Sequence, residues 1–114
     1  MLMTTTVLAA GWEQRGDGAW IWKNKNGEVV REEWKQGSDG LDYYLGYDGA
    51  MVTNQLIEHE GNWYYVDELG RKATEQWISL YDDESEMKRW HYFQRSGKMY
   101  GPNDSGIKKE ITGV

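Results

Sequence analysis

Several residue types that mark common protein classes are missing or rare in this chain of 114 residues. It has no cysteine, which excludes disulfides, thiol catalysis and cysteine-ligated zinc. Its two histidines, His59 and His91, leave little scope for a histidine-based metal site. One proline and fourteen glycines favour tight turns over a helical bundle. No stretch approaches the roughly 20 apolar residues that span a membrane, so we expect no membrane insertion.

Positive charge is also scarce. The chain has 13 Lys and Arg against 19 Asp and Glu, which gives a net charge of −6 and an isoelectric point near 4.9. Binding to phosphate backbones requires clustered Lys and Arg, so we expect no nucleic-acid partner. Anionic membrane surfaces are disfavoured for the same reason.

Large aliphatic side chains are few, and aromatic side chains take their place. Leu, Ile, Val and Phe number 19 in all, a fraction that alone is typical of disordered chains. Seven Trp and eight Tyr reverse that interpretation. Each buried aromatic ring removes about 150–250 Å² from water, so a dozen rings suffice to hold a small fold together.

The aromatic residues recur in phase. Four triplets, each beginning seven residues before a glycine, start at Trp20, Asp42, Trp63 and Trp90. The glycines that follow them are Gly27, Gly49, Gly70 and Gly97, at steps of 22, 21 and 27 residues. A leading residue of each repeat stands at Trp12, Trp34, Leu56 or Trp77. The spacing predicts four repeats of about 22 residues, at 12–33, 34–55, 56–76 and 77–101.

Each repeat predicts a β-hairpin and a connector. A strand begins at the leading residue, and a second strand holds the triplet. The turns between them are expected at Gly16-Asp17-Gly18, Ser38-Asp39-Gly40 and Glu60-Gly61-Asn62, whose residues tolerate tight turns. The glycine after each triplet is expected in a left-handed conformation. Because an isolated hairpin is marginal in water, we predict an all-β solenoid of about four stacked β-hairpin repeats.

Residues 11–101 resemble the cell-wall-binding repeats of Gram-positive surface proteins, which include choline-binding and glucan-binding repeats. The resemblance is carried by Gly11-Trp12, by the triplet Trp63-Tyr64-Tyr65 and by the run from Asp48 to Gln55. It implies a non-catalytic, secreted or cell-wall-associated module that attaches an enzyme or adhesin to wall polymer. In choline-binding members the ligand lies between consecutive hairpins in a cage of aromatic side chains, often with a Met.

The resemblance also implies candidate ligand contacts. A cage of a leading Trp, a first triplet aromatic, a triplet Tyr and a Met is matched best in the fourth repeat, by Trp77, Trp90, Tyr92 and Met99. The candidates in the other repeats are Trp12, Trp20, Trp34, Tyr44, Met51, Trp63 and Tyr65. In the third repeat Lys72 takes the Met position and would repel a cation. At least half of the Trp and Tyr side chains are expected to be core, because one face of each hairpin must fill it.

The ligand is open between choline and a glycan. A quaternary ammonium has no hydrogen to donate, so the negative faces of aromatic rings suit it, whereas sugars lay their C–H faces on the same rings. The alternative function is a structural or adhesive spacer in which the aromatics only pack. No catalytic motif and no cofactor are indicated, since no phosphate loop, Gly-x-Ser-x-Gly or His-Glu-x-x-His occurs.

The two ends and one insertion stand outside the repeats. Residues 1–10 form an uncharged leader, interpreted as the tail of a signal peptide or as a short extra strand. Residues 102–114 are expected to form a loop with a partial further repeat or cap, and an end hairpin offers a route to a homodimer. The fourth repeat carries extra acidic residues at 82–86. Such a cluster suits Ca²⁺, but without the spacing of a calcium loop it predicts a longer, solvated hairpin tip.

Overall fold

The computed structural model describes residues 10–83 and 85–100. Over these ranges the chain forms eight β-strands and no helix. The strands are β1 (Gly11–Gln14), β2 (Trp20–Lys23), β3 (Glu33–Gln36), β4 (Asp42–Leu45), β5 (Gln55–His59), β6 (Asn62–Val66), β7 (Gln76–Asp82) and β8 (Met87–Phe93). The predicted leader, except Ala10, and the predicted end segment at 102–114 lie outside the described residues. None of the described chain forms a helix of the length and apolarity that crossing a membrane requires.

Consecutive strands pair as four separate antiparallel hairpins. The tight turns fall where Gly, Asp and Asn were expected to form them. In the first hairpin the N–H of Gly18 donates to the carbonyl of Arg15 at 2.8 Å, and Gly18 has a φ of 92°. Only glycine adopts that conformation without a steric cost, so the turn chemistry sets the hairpin. The prediction of an all-β hairpin repeat is confirmed.

A short return segment follows each hairpin. The glycine after each triplet has a positive φ, between 79° and 92°, as predicted. The chain then folds back on the second strand and adds one more backbone hydrogen bond of 2.8–3.0 Å. The donor and acceptor pairs are Val30 to Trp22, Val52 to Tyr44, Ala73 to Tyr65 and Tyr100 to Tyr92. Each repeat is therefore a hairpin with a short third segment that pairs with its second strand. This pairing holds the residue that follows the glycine by two positions next to the hairpin.

In each unit the core includes side chains at the ends of the second strands. Leu45, Val66 and Phe93 are completely buried, and they occupy the same position of three successive repeats. Ile21 and Ile57 are also buried. Full burial of one such side chain stabilises the fold by about 1.5–3 kcal/mol. Three tyrosines, Tyr44, Tyr64 and Tyr92, are buried as well. Exposed rings remain available at the surface, at Trp20, Trp63, Trp77 and Trp90.

The fourth hairpin differs in length from the other three. Strands β7 and β8 have seven residues each, and their pairing continues to Asp82 opposite Met87. The sequence predicted a longer tip, whereas most of the extra residues lengthen the two strands. No group of three or more acidic, His or Cys side chains among the described residues is placed to hold a metal ion.

The chain divides into two compact units. The first unit ends at Thr53 and holds β1–β4, and the second begins at Asn54 and holds β5–β8. Each unit therefore contains two hairpins.

Candidate functional site

The first hairpin presents one strongly aromatic face. Trp12 lies directly opposite Trp22 in the β1–β2 pairing. Residues i and i+2 of a strand share a face, so Trp20 projects on the same side as Trp22. Three tryptophans thus cover one side of a hairpin whose strands are only four residues long.

The second hairpin meets this aromatic face with its opposite side. Tyr43 pairs with Lys35 across β3 and β4, so both project away from the side that carries Trp34 and Tyr44. The Tyr43 ring lies edge-on to Trp12, with centroids 5.8 Å apart and planes at 80°. The Lys35 ammonium lies 4.3 Å from the centroid of the Trp22 ring. We call this contact between the two hairpins of the first unit the first junction.

A cavity of about 360 Å³ opens in the first junction. Its aromatic walls are Trp12, Trp20 and Tyr43, and Met51 closes one side. The N–H of Met51 donates to the carbonyl of Trp20 at 2.8 Å, so the return segment of the second repeat is fixed to the first hairpin. The Trp20 side chain remains 45% exposed. The remaining wall is the β3–β4 turn, residues 37–39.

Three aromatic rings around one cavity favour a cationic or an apolar ligand. Ring faces carry negative electrostatic potential and attract a cation within about 6 Å. The Lys35 ammonium above the Trp22 ring is an example of such a contact within the chain itself. A ligand without hydrogen-bond donors suits the aromatic part of this cavity, because the ring faces offer contact rather than polar partners.

The second unit repeats the same arrangement with other side chains. The N–H of Met99 donates to the carbonyl of Trp63 at 2.8 Å, as Met51 does to Trp20. Tyr65 and the buried Phe93 approach with centroids 6.2 Å apart. We call this contact between the two hairpins of the second unit the second junction. At the positions of Trp12, Trp20, Tyr43 and Met51 it has Leu56, Trp63, His91 and Met99.

The structure brings together three of the residues predicted from the sequence, namely Trp12, Trp20 and Met51. They come from two successive repeats rather than from one. Tyr43 completes the cavity and Asp39 lines it, but neither was among the predicted contacts. A signal for Tyr43 existed in the strand alternation, because the second hairpin must turn one of its two faces to the first.

The residues of the fourth repeat are arranged differently. Trp77 lies opposite Tyr92, and Trp90 shares their face, whereas Met99 is bonded to the preceding hairpin. Tyr92 is buried, with its ring centroid 5.3 Å from that of Trp77. Trp90 is 67% exposed. The described residues therefore do not bring Trp90 and Tyr92 together with Met99 as one cage.

The other candidate aromatics mostly pack. Trp34 and Tyr44 are in edge contact, with centroids 4.9 Å apart. The Tyr65 hydroxyl donates to the Asn54 side chain at 2.7 Å. Burial raises the pKa of both Tyr44 and Tyr65, which keeps their hydroxyls protonated. In the third repeat the Lys72 ammonium lies 5.8 Å from the Tyr64 ring centroid.

Comparison with known proteins finds one matching family model and a number of similar solved structures. Residues 35–77 match the family model of the choline-binding repeat. The choline-binding domain of Spr1274 from Streptococcus pneumoniae is similar at 28% identity and a TM-score of 0.61, over 82% of this chain and 96% of that one. Choline-binding protein F of the same organism is 30% identical with a TM-score of 0.55, over 81% of this chain and 28% of that one. No curated protein matches.

A third similar structure is the modular Cpl-1 endolysin complexed with a peptidoglycan analogue, at 26% identity and a TM-score of 0.57. The match covers 81% of this chain, which spans only about a quarter of the endolysin's length. The predicted resemblance to cell-wall-binding repeats is confirmed by these similarities. Repeats of this type are non-catalytic binding modules, even where the whole protein is an enzyme.

Proposed function

We propose that this chain, whose repeats resemble choline-binding repeats, is a non-catalytic module that holds a protein on the cell wall by binding choline. The observation that carries the proposal is the cavity of the first junction, where Trp12, Trp20 and Tyr43 surround about 360 Å³ beside Met51. The match of residues 35–77 to the choline-binding repeat supports the same ligand.

The cavity suits the trimethylammonium group of choline in charge and in surface. Each ring face that contacts the cation contributes about 0.5–2 kcal/mol, and tryptophan contributes most. The Met51 side chain offers a flexible, polarisable surface to the methyl groups. The partly exposed Trp20 leaves the cavity accessible, so the hydroxyl end of choline can remain linked to a polymer outside.

The proposed partner is a choline-substituted wall polymer, and the proposed location is the outside of the cell. A module that spans about a quarter of an endolysin would act together with a further domain of its own protein, such as a wall-degrading enzyme or an adhesin. Aromatic platforms also bind sugars, so a glycan of the wall is the outcome to be distinguished from choline.

Co-sedimentation with insoluble Gram-positive cell walls tests this proposal, with calorimetric titration of choline chloride beside it. We expect the chain to pellet with choline-containing walls, and free choline to release it. If free choline does not reduce pelleting, the ligand is a glycan of the wall and not choline. A chain that neither pellets nor binds choline would overturn the proposal and favour a structural spacer.

Two single-ring variants locate the site. Trp20→Ala and Tyr43→Ala each remove one wall of the cavity, and we expect each to weaken choline binding by about 2- to 30-fold. Trp90→Ala is the matched control, because it removes an even more exposed ring that does not line the cavity. Loss of binding in Trp90→Ala alone would move the site to the fourth repeat.

A further inference from the structure

An acidic residue stands among the rings of the first junction. Asp39 lies in the β3–β4 turn and lines the cavity together with Tyr43. One of its carboxylate oxygens, Oδ1, accepts the N–H of Leu41 at 2.9 Å, and Oδ2 accepts the hydroxyl of Tyr43. The turn and the ring thus hold the carboxylate at the wall of the cavity.

Gly37 is what allows the acid and the ring to lie together. A Cβ at this position would lie 2.8 Å from Cε2 of Tyr43 and 2.9 Å from Oδ1 of Asp39. Any larger residue would push one of the two away. Gly37 is therefore needed for the space that it leaves beside Tyr43 and Asp39, and not for its backbone conformation.

The preceding hairpin shows the same acid in a different setting. Asp17 occupies the position of Asp39, and Arg15 the position of Gly37. Arg15 donates two hydrogen bonds to Asp17, from Nε at 3.0 Å and from a terminal nitrogen at 2.8 Å. That pairing lowers the pKa of Asp17 to about 2. Arginine balances the charge of the first acid, whereas the hydroxyl of Tyr43 and the amide of Leu41 are among the groups that donate to Asp39.

We propose that Asp39 is a specificity-determining residue, whose carboxylate supplies a counter-charge to the quaternary ammonium and makes the cavity select cations over neutral ligands of the same shape. The inference rests on the proposed function. A trimethylammonium group has no N–H to donate, so the carboxylate acts on it by charge and not by a hydrogen bond. The same carboxylate gives no comparable gain to a sugar or to an uncharged alcohol.

Asp39→Asn tests this assignment with two ligands, choline and its uncharged isostere 3,3-dimethylbutan-1-ol. Asparagine retains an oxygen for the Leu41 amide, so the turn is preserved. We expect the variant to bind choline about 2- to 5-fold more weakly, and the isostere with unchanged affinity. Added salt should weaken choline binding in the natural chain more than in the variant.

Asp17→Asn is the matched control. It removes the same charge from the same turn position, where Oδ1 of Asp17 accepts the N–H of Ala19 at 3.1 Å. We expect its affinity for choline to equal that of the natural chain. Equal losses in the two variants, or an equal loss for both ligands in Asp39→Asn, would overturn the inference. A natural chain that binds no choline would overturn the proposed function itself and the inference with it.

Discussion

The two units of this chain use one strand arrangement for two different junctions. In the first junction three rings surround a cavity of about 360 Å³. In the second junction a leucine and a histidine stand at the positions of two of those rings, namely Leu56 for Trp12 and His91 for Tyr43. The backbone hydrogen bond that fixes the return segment is 2.8 Å in both.

The change in side chains shifts the second junction towards packing. Phe93 takes the position that Leu45 has in the first unit, and both are completely buried, but the larger Phe93 ring also lies near Tyr65. Ile78 takes the position at which the first junction has Lys35, so an apolar side chain replaces a charged one. A repeat fold can therefore assign stability to one junction and ligand binding to another, since the backbone does not depend on which side chains line the contact.

The largest difference between the junctions is expected in stability. Phe93→Ala should lower the free energy of unfolding by about 3–5 kcal/mol, because it removes a fully buried ring. Tyr43→Ala removes a ring from an already open cavity and should cost less than half as much, while choline binding is weakened. Urea unfolding of both variants measures this. Equal destabilisation would make Tyr43 a core residue and contradict its place in the cavity.

Restoring the missing rings should convert the second junction into a binding site. The double variant Leu56→Trp with His91→Tyr gives it the ring set of the first junction, beside Trp63 and Met99. Two added rings are worth about 1–4 kcal/mol to a bound cation. We expect calorimetry to show one further choline bound per chain than in the natural protein.

The single variants serve as controls for this gain. Leu56→Trp alone and His91→Tyr alone should each add less affinity than the pair. A double variant that stays folded but binds no additional choline would show that ring identity does not explain the difference between the junctions.

A smaller effect on the first junction is expected from a change at Gly37. Gly37→Ala places a Cβ against Tyr43 and Asp39, so the ring must leave its preferred position at a cost of about 0.5–1.5 kcal/mol. We expect choline affinity to fall by about 2- to 10-fold in titration. Gly16→Ala is the control, since a Cβ there meets no atom within 4 Å. A similar loss in both variants would trace the effect to the backbone and not to the cavity.

The local structure was accessible from the sequence, because its determinants are local. The leading residues Trp12, Trp34 and Trp77 were expected to begin strands, and each lies second in one. The turn glycines Gly18, Gly40 and Gly61 take a positive φ. Alternation along a strand and the demands of a tight turn involve only a few neighbouring residues. The repeat phase then extends each local prediction to the whole chain.

The set of residues that line the cavity could not be predicted from the sequence in the same way. The sequence grouped a leading Trp with the Tyr and Met of its own repeat, whereas the cavity combines Trp12 and Trp20 with Tyr43 and Met51 of the next one. Which hairpin face meets its neighbour depends on packing between repeats, and no local pattern encodes it. Asp39 was predicted only as a turn residue for the same reason.

The smallest expected effect is on stability, at the residues that directly precede β3, β5 and β7. Each of these three residues has a φ near 50°. The residues are Glu32, Asn54 and Glu75. Asparagine tolerates this left-handed conformation better than glutamate does. Asn54 also accepts the hydroxyl of Tyr65, and Tyr44 is the corresponding tyrosine near Glu32. Burial and then the charge of Glu32 raise the pKa of Tyr44.

Glu32→Asn should therefore give the position before β3 the better-tolerated residue that stands before β5. We expect the free energy of unfolding to rise by about 0.5–1 kcal/mol, because asparagine adopts the left-handed conformation with less strain than glutamate does. The pKa of Tyr44 should move back towards its ordinary value once the neighbouring charge is gone. The reverse change, Asn54→Glu, should destabilise the chain by at least as much, since it also removes the bond to Tyr65. Urea unfolding of the two variants measures both, and a Glu32→Asn chain no more stable than the natural one would show that the position carries no strain.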